Sequence, residues 1–169
     1  MREIYLTQKS KKDNQIHTYT VFVDDADYDE LMKIHWYVWK KSTANTMYAR
    51  AYFKIGKIKK MKYMHQFLME SQGKFKVDHK DRNGLNNQRS NLREATGQEN
   101  IMNVQPQNRK NKTSKYKGVN LHRNRWRARI RVNGKLICLG EYKSEIRAGW
   151  EYDEGVAKYF KEFGYLNFI

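Results

Sequence analysis

Val77 to Asn100 reads VDHKDRNGLNNQRSNLREATGQEN, and the order of its side chains decides how the surrounding chain is expected to fold. An Asp-His pair closes an apolar-basic run, and a loop rich in Asn, Asp and Gly follows it. A second carbonyl-bearing side chain, Asn100, stands at the start of an expected helix. Asp78 and Asn100 are hard oxygen donors of the kind that Mg²⁺ or Mn²⁺ accepts. His79 carries the side chain whose unperturbed pKa lets it take a proton near neutral pH. An oxygen-ligated cation beside a histidine base, in a strongly basic chain, points to metal-assisted hydrolysis of a phosphodiester.

Local signals divide the stretch further. Phe75-Lys76-Val77 reads as a strand ending at Asp78-His79, and Leu92 begins a return strand. Between them, Asp81, Arg82, Asn83 and Gly84 are turn formers that favour positive φ or side chain-to-backbone bonds. Thr96-Gly97-Gln98-Glu99 reads as a capping box, which places Asn100 in the first turn of a helix. Strand, strand and helix make a β-β-α unit, with Asp78 and Asn100 expected to face each other across it.

Asp78-His79, Asp81, Asn83, Asn86-Asn87, Asn91-Leu92-Arg93, Ala95-Thr96 and Asn100 together resemble the motif of HNH nucleases, in the variant with Asn in place of the last His. That variant is common in phage- and intron-encoded homing endonucleases. The resemblance implies that Asp78 and Asn100 hold one divalent cation and that His79 deprotonates the attacking water. The cation would stabilise charge on the phosphate and the leaving 3′ oxygen. Asn91 matches the central Asn of the motif, expected to tie the loop backbone and orient His79, with Asn87 as the alternative for that duty. Asn rather than His at position 100 favours Mg²⁺ or Mn²⁺ over Zn²⁺. His65, within the amphipathic stretch Tyr63 to Glu70, is expected to be a packed histidine, or else a group that supports His79 or meets phosphate.

Totals agree with a polyanionic partner. Lys and Arg number 34 against 18 Asp and Glu in 169 residues, a formal charge of +16. Such an excess favours nucleic acid. The single cysteine, Cys138, excludes an internal disulfide framework and a Cys-rich zinc site. No apolar run approaches the roughly 20 residues of a membrane span, and no signal peptide is read at the start. A cytoplasmic location is expected, the host cell's cytoplasm if the protein is phage-encoded.

Upstream, residues 1–62 read as small β-rich structure, with Thr18 to Val23 a strand. The acidic cluster Asp24 to Glu30 is expected to be a solvated N-terminus of a short helix through Leu31 and Ile34. Trp36 to Trp39 and Met47 to Ile55 are strand-like and joined by a polar loop. Their aromatics are interleaved with Lys40, Lys41, Arg50, Lys54, Lys57, Lys59, Lys60 and Lys62. A basic, aromatic hairpin can lie along a nucleic-acid groove, although most of these rings are expected in the core.

Downstream, Ile101 to Ser114 is polar and basic and holds the chain's one proline, Pro106. Residues 106–114 have linker composition, which places a domain boundary there. The expected organisation is a β-rich region plus nuclease unit over 1–105 (motif 75–103), the linker, and a second module over 115–169. In Arg125 to Arg131 the period is two: Arg125, Arg127, Arg129 and Arg131 on one face, Trp126, Ala128 and Ile130 on the other. Asn133-Gly134 signals a hairpin into Lys135 to Leu139. A helix is expected over Glu145 to Phe163, capped by Ser144 and Gly164, with Ile146, Trp150, Val156, Tyr159, Phe160 and Phe163 covering the sheet. Between Arg109 and Lys135 there are 11 basic residues and no acidic one.

Tyr116-Lys117-Gly118-Val119, Trp126 to Ile130, Leu139-Gly140-Glu141-Tyr142 and Gly149 to Asp153 resemble, in order, the anchors of the APETALA/ethylene-response-factor DNA-binding domain. The resemblance covers nearly all of 114–169. It implies a three-stranded antiparallel sheet packed on one helix, entering the major groove of double-stranded DNA. Lys117, Asn120, His122, Arg129 and Arg131 match its contact positions, and Arg125 and Arg127 share their face. Asn120 and His122 stand where that family usually carries Arg, and Leu136 and Cys138 where it often carries Arg and Trp, so its target sequence does not transfer. The combined expectation is an α+β chain acting as a site-specific DNA endonuclease, monomeric and nicking, or cutting both strands as a dimer. The alternative is a DNA-binding regulator with a vestigial nuclease unit.

Overall fold

The structure, a computed structural model, describes residues 1–10, 14–40, 46–70, 75–106 and 112–168. Lys41 and residues 107–111 of the expected linker lie outside that set. The chain is α+β, and its described residues form small antiparallel sheets and four α-helices. Among the described residues no helix is long and apolar enough to cross a membrane. The chain divides into two compact units, 1–96 and 97–169, so the division falls ahead of the 106–114 stretch.

In the first unit, β1 (Arg2–Lys9) and β2 (Ile16–Val23) form a hairpin, and α1 (Asp25–Leu31) follows. β3 (Tyr37–Lys40), β4 (Met47–Ile55) and β5 (Ile58–Tyr63) form a three-stranded antiparallel sheet. Then come α2 (Met64–Leu68) and the hairpin of β6 (Lys76–His79) and β7 (Leu92–Ala95). Alternation places Ile4, Leu6, Val21, Val23, Val38, Ala49 and Ala51 in one core, closed by Leu31, Trp36 and Met64. Burying a side chain the size of Leu31 contributes roughly 1.5–3 kcal/mol, so this core holds the strands that frame the loop between β6 and β7.

β5 was not legible as a strand. Its sequence, IKKMKY, has no buried residue and no apolar alternation. Gly56, at φ 61°, turns the chain after β4, and cross-strand pairing from Ile55–Ile58 to Arg50–Tyr63 sets the rest. In the acidic cluster Asp25, Asp29 and Glu30 are exposed in α1 as expected, and Asp24 and Asp27 depart from that reading. Asp27 is buried, and both its carboxylate oxygens accept from Arg89, at 2.9 and 2.7 Å. Asp24 accepts from the Arg89 backbone N–H at 2.8 Å. These acids tether the 80–91 loop rather than face water.

The second unit opens with α3 (Gly97–Asn103). β8 (Val119–His122), β9 (Arg125–Val132) and β10 (Lys135–Tyr142) then form an antiparallel sheet in the order β10-β9-β8, followed by α4 (Glu145–Phe160). Ala128, Ile130 and Val119 meet Ala148, Tyr152, Val156 and Phe160 of α4 in one core. Ser144 caps α4, its hydroxyl accepting from the Arg147 N–H at 3.3 Å. The helix is shorter than expected: Lys161 turns to φ 48° and a 3-10 turn covers Lys161–Phe163. Ile146 and Trp150 lie exposed rather than on the sheet, and Trp150 stacks on Phe168 with ring centres 4.4 Å apart.

Gly118 shows why one small residue is required. Its φ is 74°, and a Cβ there would sit 1.9 Å from the Tyr152 ring.

Candidate active site and nucleic-acid interface

The first unit's candidate site is built on β6, where Asp78 and His79 are both buried. Asp78 faces its cross-strand partner Arg93, whose Nε and Nη2 donate to Asp78 Oδ2 at 2.9 and 2.8 Å. The Asp78 side chain is buried and that of Arg93 is 10% exposed, so this ion pair is largely shielded from water. Sequence reading missed Arg93; the β6–β7 register, which pairs position 78 with 93, was the available signal.

His79 points into a cluster of rings. Its centroid lies 4.9 Å from His65 and 5.8 Å from Tyr48. Tyr63 stacks on His65 at 5.3 Å. Burial pushes the His79 pKa below the usual imidazole value, opposed by the Asn87 hydrogen bond and by the charges of Asp81 and Asp78. Burial, then the neighbouring His79, pushes His65 to about 3. Burial and the Asp78 charge raise the Tyr48 phenol. His79 is therefore held neutral, the form a base needs.

Asn87 and Asn91 divide the work that was assigned to one of them. Asn87, fully buried, brings Oδ1 within 3.4 Å of His79 Nε2. Its Nδ2 is buried with no acceptor among the described residues. Asn91 instead holds the loop. Its Oδ1 accepts from the Asp81 N–H at 3.0 Å, and its Nδ2 donates to Asp81 Oδ1 at 2.9 Å and to the Asn86 carbonyl at 2.8 Å. The orienting contact on His79 thus comes from Asn87, and the loop tie from Asn91.

The remaining loop chemistry serves position. Asp81 also accepts from the Asn83 N–H and the Asn86 side chain, both at 2.8 Å. Asn87 N–H donates to the Phe22 carbonyl at 2.7 Å, and Phe22 N–H to the Leu85 carbonyl at 2.9 Å, which joins the loop to β2. The positive φ expected of the turn falls on Arg82, at 66°, and not on Gly84. Gly84 is needed for closeness instead, because a Cβ would meet the Met47 carbonyl at 2.3 Å and the Tyr48 ring at 2.5 Å.

A divalent cation is implied by the motif resemblance. Among the described residues no three His, Cys, Asp or Glu side chains converge to hold a metal alone. A buried carboxylate at Asp78 with an amide oxygen suits Mg²⁺, which typically takes one or two carboxylates and keeps its remaining waters. The donor types therefore fit. Asp78 lies in the first unit and Asn100, half-buried in α3, in the second.

In the second unit, β9 presents its arginines as expected, but most are engaged by the fold. Arg127 pairs with Glu141, its Nε donating at 2.6 Å, and contacts His122. His122 lies 3.2 Å from the same Glu141 carboxylate. The Arg127 hydrogen bond holds the Glu141 carboxyl below its ordinary range. Arg125 donates to the Glu141 carbonyl at 3.0 Å and Arg131 to the Gly134 carbonyl at 2.8 Å. Arg129 donates no side-chain hydrogen bond to any described residue, while its N–H meets the Gly118 carbonyl. Asn120 donates to the Leu121 carbonyl at 3.1 Å.

Lys117 is placed differently from expectation. Its ammonium donates to the Met102 and Val104 carbonyls, at 2.5 and 2.6 Å, and so closes the C-terminal end of α3. Glu141 was missed because of a bulge. Cys138 pairs with Arg129, but Gly140 pairs with Ala128, so one residue is inserted between them. The slip moves Glu141 opposite Arg127 and onto the arginine face.

A scan against protein-family models finds no match. Searches of curated proteins and of solved structures return no significant match either.

Proposed function

We propose that the chain is a site-specific DNA endonuclease of the HNH homing type, acting on double-stranded DNA in the cytoplasm. The observation that carries this reading is His79, a buried imidazole next to Asp78 in β6, with Asn87 Oδ1 against its Nε2.

In this reading β6 and β7 supply the two strands of the β-β-α unit that the motif implies, and α3 would be its helix. In the tautomer that carries its proton on Nε2, that proton meets Asn87 Oδ1 and Nδ1 is the basic nitrogen. Nδ1 takes the proton of the attacking water and Asn87 fixes the plane of the ring. Tyr48 and His65 exclude bulk solvent around it, which keeps the imidazole unprotonated near neutral pH. Asp78 and Asn100 would hold Mg²⁺ or Mn²⁺, and Arg93 fixes the Asp78 carboxylate. When bound, the cation supplies Lewis-acid stabilisation of charge on the phosphate and the leaving oxygen. The second unit supplies grip and sequence choice through its arginine face, with Arg129 best placed for a base edge. A monomer with one such site nicks one strand.

The grip of Arg93 on Asp78 favours a second reading, a DNA-binding regulator in which Asp78 is structural. Supercoiled DNA incubated with the protein and Mg²⁺ or Mn²⁺, with an EDTA control, separates the two. The nuclease reading expects open circles or discrete fragments that EDTA abolishes. Tight binding without cleavage on DNA that contains the bound site would favour the regulator.

A further inference from the structure

One face of the β3–β4–β5 sheet carries Tyr37 and Trp39 from β3 and Arg50 and Tyr52 from β4. Val38, Ala49 and Ala51, one residue out of step, are buried on the other side. With Lys9 and Lys59 these side chains line a groove of about 560 Å³, and no carboxylate is among its described lining residues. Tyr37 and Tyr52 are 47% and 46% exposed, although the rings of this region were expected mainly in the core. Trp36, Phe53 and Phe67 do pack there.

Cations sit among these rings. The Arg50 guanidinium lies 5.1 Å from the Trp39 ring centre and 5.8 Å from that of Tyr52, and the Lys59 ammonium lies 4.8 Å from Tyr52. Arg50 Nε is buried with no acceptor among the described residues. A basic groove lined by half-exposed aromatic rings suits a ligand with alternating anions and exposed π-faces. In duplex DNA the bases cover one another and present only their edges. An unpaired strand can give base faces to tyrosines and phosphates to lysines and arginine together.

The groove also leads somewhere. Trp39 lies 5.9 Å from Tyr63, Tyr63 lies 5.7 Å from Tyr48, and Tyr48 lies 5.8 Å from His79. A row of rings runs from the groove to the candidate base within one unit.

We infer that this groove binds an unpaired segment of DNA strand, stacking bases on Tyr37 and Tyr52 and holding phosphates with Arg50 and Lys59, and that it guides the strand toward His79. That the strand is DNA rests on the nuclease reading above; the stacking does not.

The test is made on the full chain in EDTA, where binding is read without cleavage, so failure here and failure of the nuclease reading are separately visible. Labelled oligo(dT) of about 12 nucleotides, within the usual site size, is titrated beside a duplex of equal length. The double variant Tyr37→Ala/Tyr52→Ala is expected to raise the oligo(dT) Kd about thirtyfold or more, the loss of two stacked bases. The duplex Kd should stay within about twofold on the same grounds, and Tyr37→Phe/Tyr52→Phe should restore binding. An unchanged oligo(dT) Kd in a variant that melts like the parent would overturn the inference. A second measurement needs no variant. Oligo(dT) carrying 5-iodouracil should photo-crosslink to the unaltered protein within residues 37–59, and adducts confined to 97–169 would overturn the proposal as well.

Discussion

The two units handle polar side chains in opposite ways. In the first, the 80–91 loop turns its acids and amides inward: Asp81, Asn83 and Asn91 bond the loop's own backbone, and Asp24 and Asp27 reach in from α1 to hold Arg89. In the second, β9 turns guanidinium groups outward on a sheet face whose main counter-charge is Glu141. Once the fold has taken its share, few of these polar residues remain for function. In the loop these are His79 and Asn87, a base against an amide that keeps an unmatched buried N–H. On the sheet it is Arg129, whose neighbours along β9 are each bonded to the chain itself.

That division can be broken most sharply at the two asparagines. Asn91→Ala removes three loop hydrogen bonds at a buried position, and the expected loss of unfolding free energy is about 2–3 kcal/mol. Asn87→Ala should cost less stability than Asn91→Ala, since it removes one hydrogen bond rather than three, while lowering cleavage about 10–100-fold, the size of effect typical for a residue that orients a reacting group. Denaturant unfolding beside nicking rates checks both, and the opposite pattern would return the orienting role to Asn91.

The sheet offers the next contrast. Arg129→Ala should weaken binding to the target by roughly 1–3 kcal/mol and relax one base position. Binding measured across a set of single-base target variants checks this, and an equal loss on every sequence would make Arg129 a phosphate contact. Lys117→Ala, by comparison, should cost about 0.5–1 kcal/mol of stability through the end of α3, with binding little changed.

The buried histidine pair should make the first unit sensitive to acid. His65 titrates near 3 in the folded chain but near the ordinary 6.5 when unfolded, so the unfolded chain binds the proton first as pH falls. Stability should then decline below about pH 6.5, by about 1.4 kcal/mol per pH unit from this group. His65→Gln should flatten that slope in urea unfolding curves collected between pH 5 and 7, on the same linkage.

Much of this organisation was legible from sequence where the signal is local. Alternation in β9, the Asn133-Gly134 turn, Ser144 at the start of α4 and the Asp78-His79 strand end all depend on neighbours a few residues apart. What was not legible depends on register or distant packing. β5 has no apolar face and exists through pairing with β4. Glu141 reaches Arg127 only because a bulge shifts β10 by one residue. Asp27 looks solvated until Arg89, 62 positions along the chain, is brought to it. Asn87 and Asn91 are indistinguishable by composition, and only the path of the loop past Phe22 aims one of them at His79.

On the proposed reading His79 is the general base of a DNA-cutting site. The most direct test of that role is single-turnover nicking of supercoiled target DNA in Mg²⁺ by the parent protein and by His79→Ala, with binding measured in parallel. The expected result is a rate about 10²–10⁴-fold lower in the variant, the typical contribution of a general base, with binding unaffected. Equal nicking rates in the two proteins would contradict it.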